Sequence, residues 1–203
     1  ISIGTATRLA ILNFCCFLLA ILSFVFMFFD KRSSLISKDL SLIASIILNL
    51  TTSFFGLRIT SNIGQNLLKR LLVNYSFHNG TTSMVFLITR IEPSLWIFAL
   101  CLQCFYQFLN YLVIQILPRF REDNTTTNFL IYLYRKVSGQ YRINLWVSLF
   151  ELATLISIPQ FIKNNSRIVI SSISSFYIVW YLLYRYSSSR THQIIWNYIY
   201  FLF

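Results

Sequence analysis

The sequence predicts an all-α, polytopic helical membrane protein with three clear transmembrane helices, two short membrane-embedded or re-entrant helices, and basic amphipathic interfacial helices. Composition supports this first, because 56% of the 203 residues are hydrophobic, 18% aromatic and only 11% charged, too few polar residues to cover a soluble domain. Run length supports it next, since several apolar runs approach the roughly 20 residues that cross a bilayer as a helix. Charge is the third observation: 17 Lys and Arg against 6 Asp and Glu give a net charge of +11, typical of basic loops at anionic lipid headgroups.

Run length identifies three clear spans within a single integral membrane domain, residues 1–203: residues 9–29, 94–117 and 144–162. The first contains no charge and is followed at once by Asp30, Lys31 and Arg32, a stop-transfer pattern rather than a signal peptide. The second lies between Pro93 and Pro118, which are compatible with the start and end of a helix.

Two shorter runs, residues 40–57 and 168–184, contain many Ser, Thr and Asn residues, so they cross the bilayer, re-enter it or lie shallowly. With three crossings and a luminal N-terminus, Lys and Arg divide 11 to 6 in favour of the cytosol, whereas five crossings divide them 10 to 7. Because cytosolic loops collect basic residues, three crossings fit better. The basic residues stand singly or in pairs between apolar runs, and we therefore predict no nucleic-acid partner.

Residues 63–77 predict a basic amphipathic helix, with leucines on one face and Lys69 and Arg70 on the other. Such a helix lies in the headgroup plane or packs on the protein's own core. Residues 193–203, which contain Trp196 and several tyrosines, predict a second interfacial segment.

Polar residues inside the clear spans predict an interhelical contact. Two sets share the spacing i, i+4, i+7 and hence one helical face each: Gln103, Gln107 and Asn110 in the second span, and Asn144, Ser148 and Glu151 in the third. We interpret them as facing stripes that hydrogen-bond across the interface, with Glu151 protonated or accepting from the amides. Replacing Glu151 with Gln would then leave folding nearly intact. The alternative makes Glu151 a proton or ion site in a transporter.

No motif predicts an enzyme, a cofactor or a metal site. Cys101 and Cys104 have CxxC spacing without a second ligand pair, and His78 and His192 have no metal-ligand neighbours in the sequence. Nucleophile-elbow, zinc-protease, P-loop and dinucleotide-binding signatures are absent from the sequence.

Three segments carry a family resemblance, in the same order: RIEPSLWIFALCLQCFYQFLNYL (residues 90–112), RKVSGQYRINLWVSLFELATL (135–155) and YIVWYLLYRYSSSRTHQIIWNYI (177–199). They resemble the transmembrane protein 33 family, which includes the fungal pore-membrane proteins and Krueppel homolog 2. The resemblance covers most of the chain from about residue 50 onward. Pro159 stands farther from Glu151 than the corresponding proline of the family, and the family's amphipathic tail is absent or truncated.

The resemblance implies a non-enzymatic protein of the endoplasmic reticulum membrane and nuclear envelope. Such a protein shapes tubular membrane, acts with reticulon-type proteins, and supports nuclear pore assembly or distribution. Short runs that do not cross and basic amphipathic helices favour curved bilayer. Arg185 and Arg190 would lie at the cytosolic headgroups, where Ser187, Ser188 and Ser189 donate to lipid phosphates; an ordinary stop signal with snorkelling arginines is the alternative.

Two other function classes stay open. One is an accessory subunit of a large membrane complex, organellar-encoded and in the mitochondrial inner membrane, because the Ile, Phe, Tyr and Asn bias suits an AT-rich genome. The other is a small transporter or channel, which requires a polar path through the membrane.

Overall fold

The structure is a computed structural model that describes residues 3–58, 74–89, 93–119, 125–138, 142–159 and 168–202. These residues form helices and the short turns between them, with no strand in the described ranges. The predicted all-α class is therefore confirmed.

The described residues form eight α-helices: α1 Ile3–Met27, α2 Lys31–Arg58, α3 Tyr75–Thr89, α4 Ser94–Asn110, α5 Thr125–Ser138, α6 Arg142–Ala153, α7 Ile168–Ser188 and α8 Arg190–Leu202. A π-helical segment, Tyr111–Ile116, continues α4, and a 3-10 segment, Thr154–Ser157, continues α6. Asp30 caps the start of α2 by accepting the backbone N–H groups of Arg32 (3.0 Å) and Ser33 (3.1 Å).

Within the described ranges, three helices are long and apolar enough to cross a membrane: Ile3–Met27, Lys31–Ser53 and Ser94–Arg119. The first and last overlap the predicted spans 9–29 and 94–117. The middle one replaces the short run predicted at 40–57, because the Asp30 cap starts the helix nine residues earlier than the apolar run does.

The run predicted as a third clear span, residues 144–162, is not one uninterrupted α-helix. The 12-residue helix α6 ends at Ala153 and tightens into a 3-10 turn at Thr154. Pro159 gives a physical reason, since proline offers no N–H to the carbonyl four residues earlier and clashes with it. The other shorter run, 168–184, lies within the 21-residue helix α7.

The predicted amphipathic segment 63–77 lies almost wholly outside the described residues, as do Lys69 and Arg70. Its last residues, 75–77, open α3. The predicted segment 193–203 is described up to residue 202 and belongs to α8.

Large apolar side chains cover much of the outer surface of α1, including the exposed residues Ile11, Leu18, Leu22 and Val25. A soluble monomer rarely exposes such a continuous apolar face. In a helix long enough to span a bilayer, this face is suited to contact with lipid tails.

Small and polar side chains contribute to the contacts of α2 and α3. Ser45 Oγ of α2 lies 3.0 Å from Ser83 Oγ of α3, and the same Ser83 Oγ accepts from Trp96 Nε1 of α4 at 3.1 Å. A Cβ on Gly80 would lie 3.3 Å from Asn49 Cβ, so glycine permits α2 and α3 to approach closely. Small-residue packing with interhelical hydrogen bonds is the usual way that helices associate in membranes.

Candidate functional site

The candidate site is centred on the carboxylate of Glu151 in α6, whose side chain is 1% exposed. Four polar groups surround the carboxylate from two sides. Tyr75 Oη donates to Oε1 at 2.9 Å, and Tyr181 Oη lies 3.1 Å from the same oxygen. Arg185 Nε (3.0 Å) and His192 Nε2 (2.6 Å) donate to Oε2. These groups come from α3, α7 and α8, so one carboxylate links four helices.

Amide side chains extend this network into α3 and α4. Tyr75 Oη lies 3.1 Å from Gln103 Oε1, and Tyr181 Oη lies 2.7 Å from Asn79 Oδ1. Asn79 Nδ2 donates to Gln103 Oε1 at 3.0 Å, which leaves the single proton of Tyr75 available to Glu151. Tyr181 has one proton for two acceptors, and its shorter contact is with Asn79. The network therefore joins five helices through polar side chains.

Arg185 is the cation that balances Glu151, and it is fixed by two separate contacts. Its Nε donates to Glu151, and its guanidinium carbon lies 3.9 Å from the centre of the Tyr75 ring, a distance typical of a cation–π contact. The side chain is 12% exposed. Its two terminal Nη groups make no hydrogen bond to a described residue.

His192, near the start of α8, completes the shell around Glu151. A carboxylate only accepts hydrogen bonds, so Nε2 of His192 carries a proton in this contact. Its other nitrogen, Nδ1, is buried without a hydrogen-bond partner among the described residues. Beside it, Ser148 of α6 and Thr191 of α8 share a hydrogen bond of 2.8 Å, which also holds α8 against α6.

A cavity of about 330 Å³ opens next to Arg185 and is bordered by the end of α7, the start of α8, and one face each of α4 and α6. The polar side chains that line it are Tyr75, Gln103, Tyr106, Gln107, Asn144, Arg185, Ser188, Ser189, Arg190 and Thr191. Gln107 and Asn144 make no side-chain hydrogen bond to any described residue, so their amides are available to a ligand or to water.

A smaller cavity, of about 90 Å³, lies on the other side of Tyr75 and Gln103. It reaches Asn13 of α1 and Asn49 of α2, and Gln107 borders both cavities. Polar groups therefore continue from the large cavity into the space between the first helices.

The predicted polar stripes contribute to this site through other partners than expected. Gln103 reaches Glu151 through Tyr75, and both Gln107 and Asn144 border the large cavity. Asn110 instead accepts from Tyr134 Oη of α5 at 3.0 Å. Direct amide-to-carboxylate bonds do not form between these residues, because the phenol of Tyr75 lies between them.

The predicted interfacial arginines occupy different environments. Arg185 is turned inward onto Glu151 rather than outward to headgroups, because the buried carboxylate requires a counter-charge. Arg190 is exposed and has no ionic partner among the described residues. Of the three serines, Ser188 and Ser189 border the cavity, whereas Ser187 Oγ donates to the backbone carbonyl of Tyr184 at 2.8 Å.

Sequence reasoning did not find Tyr75, Asn79, Tyr181 and His192 as members of the site. One signal was present: Tyr181 and Arg185 are four residues apart and share a helical face. A lone carboxylate in an apolar run requires a cation, and Arg185, which ends such a run, was a suitable partner.

No group of three or more His, Cys, Asp or Glu side chains is placed to hold a metal ion in the ranges that the structure describes. Comparison with known proteins gave no assignment: no protein-family model, no curated protein and no solved structure matches the chain.

Proposed function

We propose that this chain is a non-enzymatic integral membrane protein that shapes and organises the membrane of the endoplasmic reticulum and nuclear envelope. Its partners would be the lipid bilayer, anionic headgroups, reticulon-type proteins and nuclear pore components. The observation that carries the proposal is a pair of helices, α5 and α8, which present exposed aromatic side chains beside helices long enough to span.

Helix α8, Arg190–Leu202, presents an exposed aromatic face and is the interfacial wedge of this proposal. Tyr198, Tyr200 and Phe201 are 69%, 79% and 83% exposed, whereas His192 and Ile195 are buried against the bundle. Tyrosine side chains on an exposed helical face are suited to the boundary between headgroups and acyl chains.

Helix α5 repeats this pattern on another part of the surface. Phe129 and Tyr132 are exposed, and Arg135 and Lys136 occupy the last turn. Basic residues beside exposed aromatics favour anionic lipid surfaces. Aromatic helices that enter only one leaflet expand that leaflet and favour curvature.

Helix α8 favours curvature only if it stays fixed against the helix bundle. The hydrogen bonds of His192 to Glu151 and of Thr191 to Ser148 hold the start of α8 on the bundle. The buried network supports this proposal more than a transporter, because Glu151 is paired with an arginine and a histidine. The two neighbouring polar cavities keep a small transporter or channel as the competing function.

The first test is the distribution of the tagged chain at low expression against reticulum, nuclear-envelope and mitochondrial markers. We expect signal in the reticulum and at the nuclear rim, and an increased tubule fraction on higher expression. Mitochondrial signal would reject the proposal and favour an accessory subunit of an organellar complex.

The second test reconstitutes the chain into vesicles and counts membrane tubules by electron microscopy. Tyr198→Asp combined with Phe201→Asp places charge on the exposed face of α8 and should abolish tubules. Tyr198→Phe with Phe201→Leu keeps that face apolar and should retain them. Equal tubulation by both variants would show that α8 is not the wedge.

A further inference from the structure

We propose that the arginine-lined cavity at the junction of α7 and α8 is a binding site for a phosphate monoester, either the headgroup of an anionic lipid or a small soluble phosphate. The cavity measures about 330 Å³, which lies within the range of small-ligand sites. This inference concerns ligand recognition and does not depend on the proposed role in membrane shaping.

The geometry of Arg185 carries the inference. Its Nε is used by Glu151 and its guanidinium stacks on Tyr75, so the group is held in one orientation. Its Nη groups have no partner among the described residues, and the side chain borders the cavity. A fixed guanidinium with unused donors at a cavity is suited to oxyanions such as phosphate.

The opposite wall supplies further donors. Ser189 precedes α8, and its carbonyl accepts from Gln193 N at 3.1 Å, so the first backbone N–H groups of α8 begin at this edge of the cavity. The positive end of the helix dipole favours an anion there. Ser188 and exposed Arg190 also line this space, whereas the hydroxyl of Thr191 is already hydrogen-bonded to Ser148 and Ser189.

Charge indicates an anion rather than a neutral or zwitterionic ligand. No acidic residue is among the described residues that line the cavity, and both arginines are. Glu151 neutralises the charge of Arg185. The charge of Arg190 is not neutralised by any described residue. A phosphate monoester offers three terminal oxygens to these donors, whereas the ammonium of a choline headgroup would repel the arginines.

The test uses the purified full chain in detergent, with unfolding temperature measured against increasing ligand. A ligand that binds only the folded protein raises that temperature. The probes are short-chain phosphatidic acid, short-chain phosphatidylcholine and glycerol 3-phosphate. We expect phosphatidic acid to stabilise the chain and phosphatidylcholine to have no comparable effect.

Two arginine variants form a matched pair. Arg190→Gln should weaken phosphatidic acid binding by about 3- to 10-fold, because one charge-assisted contact is lost. Arg8→Gln removes the same charge from an exposed position on α1 away from the cavity and should leave affinity unchanged. Arg185→Lys keeps a positive charge near Glu151, but an ammonium lacks the planar set of donors that lets arginine bind the carboxylate and the ligand at once. This variant should lose phosphatidic acid binding.

The outcomes separate the sources of phosphate. Binding of phosphatidic acid without competition by glycerol 3-phosphate assigns the site to a lipid headgroup, and equal affinity for both assigns it to a soluble phosphate. Either result supports the phosphate site. Equal effects of phosphatidic acid and phosphatidylcholine, or equal losses in Arg190→Gln and Arg8→Gln, would overturn it.

Discussion

Replacing Glu151 with Gln should strongly destabilise the fold. The substitution removes the buried counter-charge of Arg185 and places an NH₂ group where the carboxylate now accepts. The glutamine NH₂ can still donate to the hydroxyl oxygens of Tyr75 and Tyr181, whose own protons have acceptors in Gln103 and Asn79. The expected loss therefore comes from the missing counter-charge of Arg185. The sequence alone predicted a nearly intact fold for this variant, because it gave Glu151 no charged partner.

The expected size of the effect follows from the burial of both charges. Removing one partner of a buried ion pair costs about 3–5 kcal/mol of folding free energy, since it leaves an uncompensated charge. For a chain of this size each kcal/mol corresponds to about 2–4 °C in unfolding temperature. Glu151→Gln should therefore unfold roughly 6–20 °C lower than the unmodified chain.

Thermal unfolding in detergent, followed by tryptophan fluorescence, measures this shift. Asp30→Asn is the matched control, because it removes a carboxylate charge at an exposed helix cap where asparagine caps equally well. Adding Arg185→Met to Glu151→Gln should recover part of the loss, since the uncompensated cation is then gone. An unfolding temperature for Glu151→Gln within a degree of the unmodified chain would refute the proposed role of the ion pair.

Three further predictions test other parts of the structure. Gly80→Leu should lower the unfolding temperature more than Gly80→Ala, because Asn49 already lies 3.3 Å from a Cβ at this position; equal shifts would contradict the close packing of α2 and α3. Ser83→Ala should cost about 1–3 kcal/mol in the same assay, since Trp96 Nε1 loses its acceptor, whereas Ser187→Ala, at an exposed site, should have little effect. The Ser33 hydroxyl and the Arg32 and Ser33 backbone N–H groups hold the pKa of Asp30 below its ordinary value. The cap therefore stabilises α2 above the unfolded-state pKa and loses this effect as pH falls through the folded-state pKa. Circular dichroism should show an acid-dependent loss of helix that is smaller in Asp30→Asn, and identical acid profiles would argue against the cap.

Hydropathy predicted the all-α class and two of the candidate spans, because residues 9–29 and 94–117 are apolar almost throughout. Hydropathy underestimated the ability of Lys31–Ser53 to span a membrane, because a hydropathy scale gives every serine the same value whether its side chain faces lipid or the protein interior. In the structure Ser41, Ser45 and Ser53 are buried within the bundle. Helix length alone favours a span here, and only the packing shows where the hydroxyl groups lie.

The candidate site was predictable only in part for a related reason. Helical spacing placed Gln103 and Glu151 on facing stripes, but the residue that joins them, Tyr75, is 76 positions from Glu151 in the chain. Its neighbours in the sequence predicted an interfacial helix. Long-range partners of this kind follow from how helices pack, and a single sequence does not contain that information.

The ion pair and the cavity are best understood as one arrangement. A buried arginine is costly without a counter-charge, and Glu151 supplies that charge by accepting from Nε alone. The terminal Nη groups therefore stay available at the cavity wall, while Tyr75 holds the plane of the guanidinium. If Glu151 accepted from both Nη groups instead, the fold would gain a comparable ion pair but the cavity would lose its fixed donor. The single contact through Nε is thus the feature that connects the stability of the bundle to recognition of an anion.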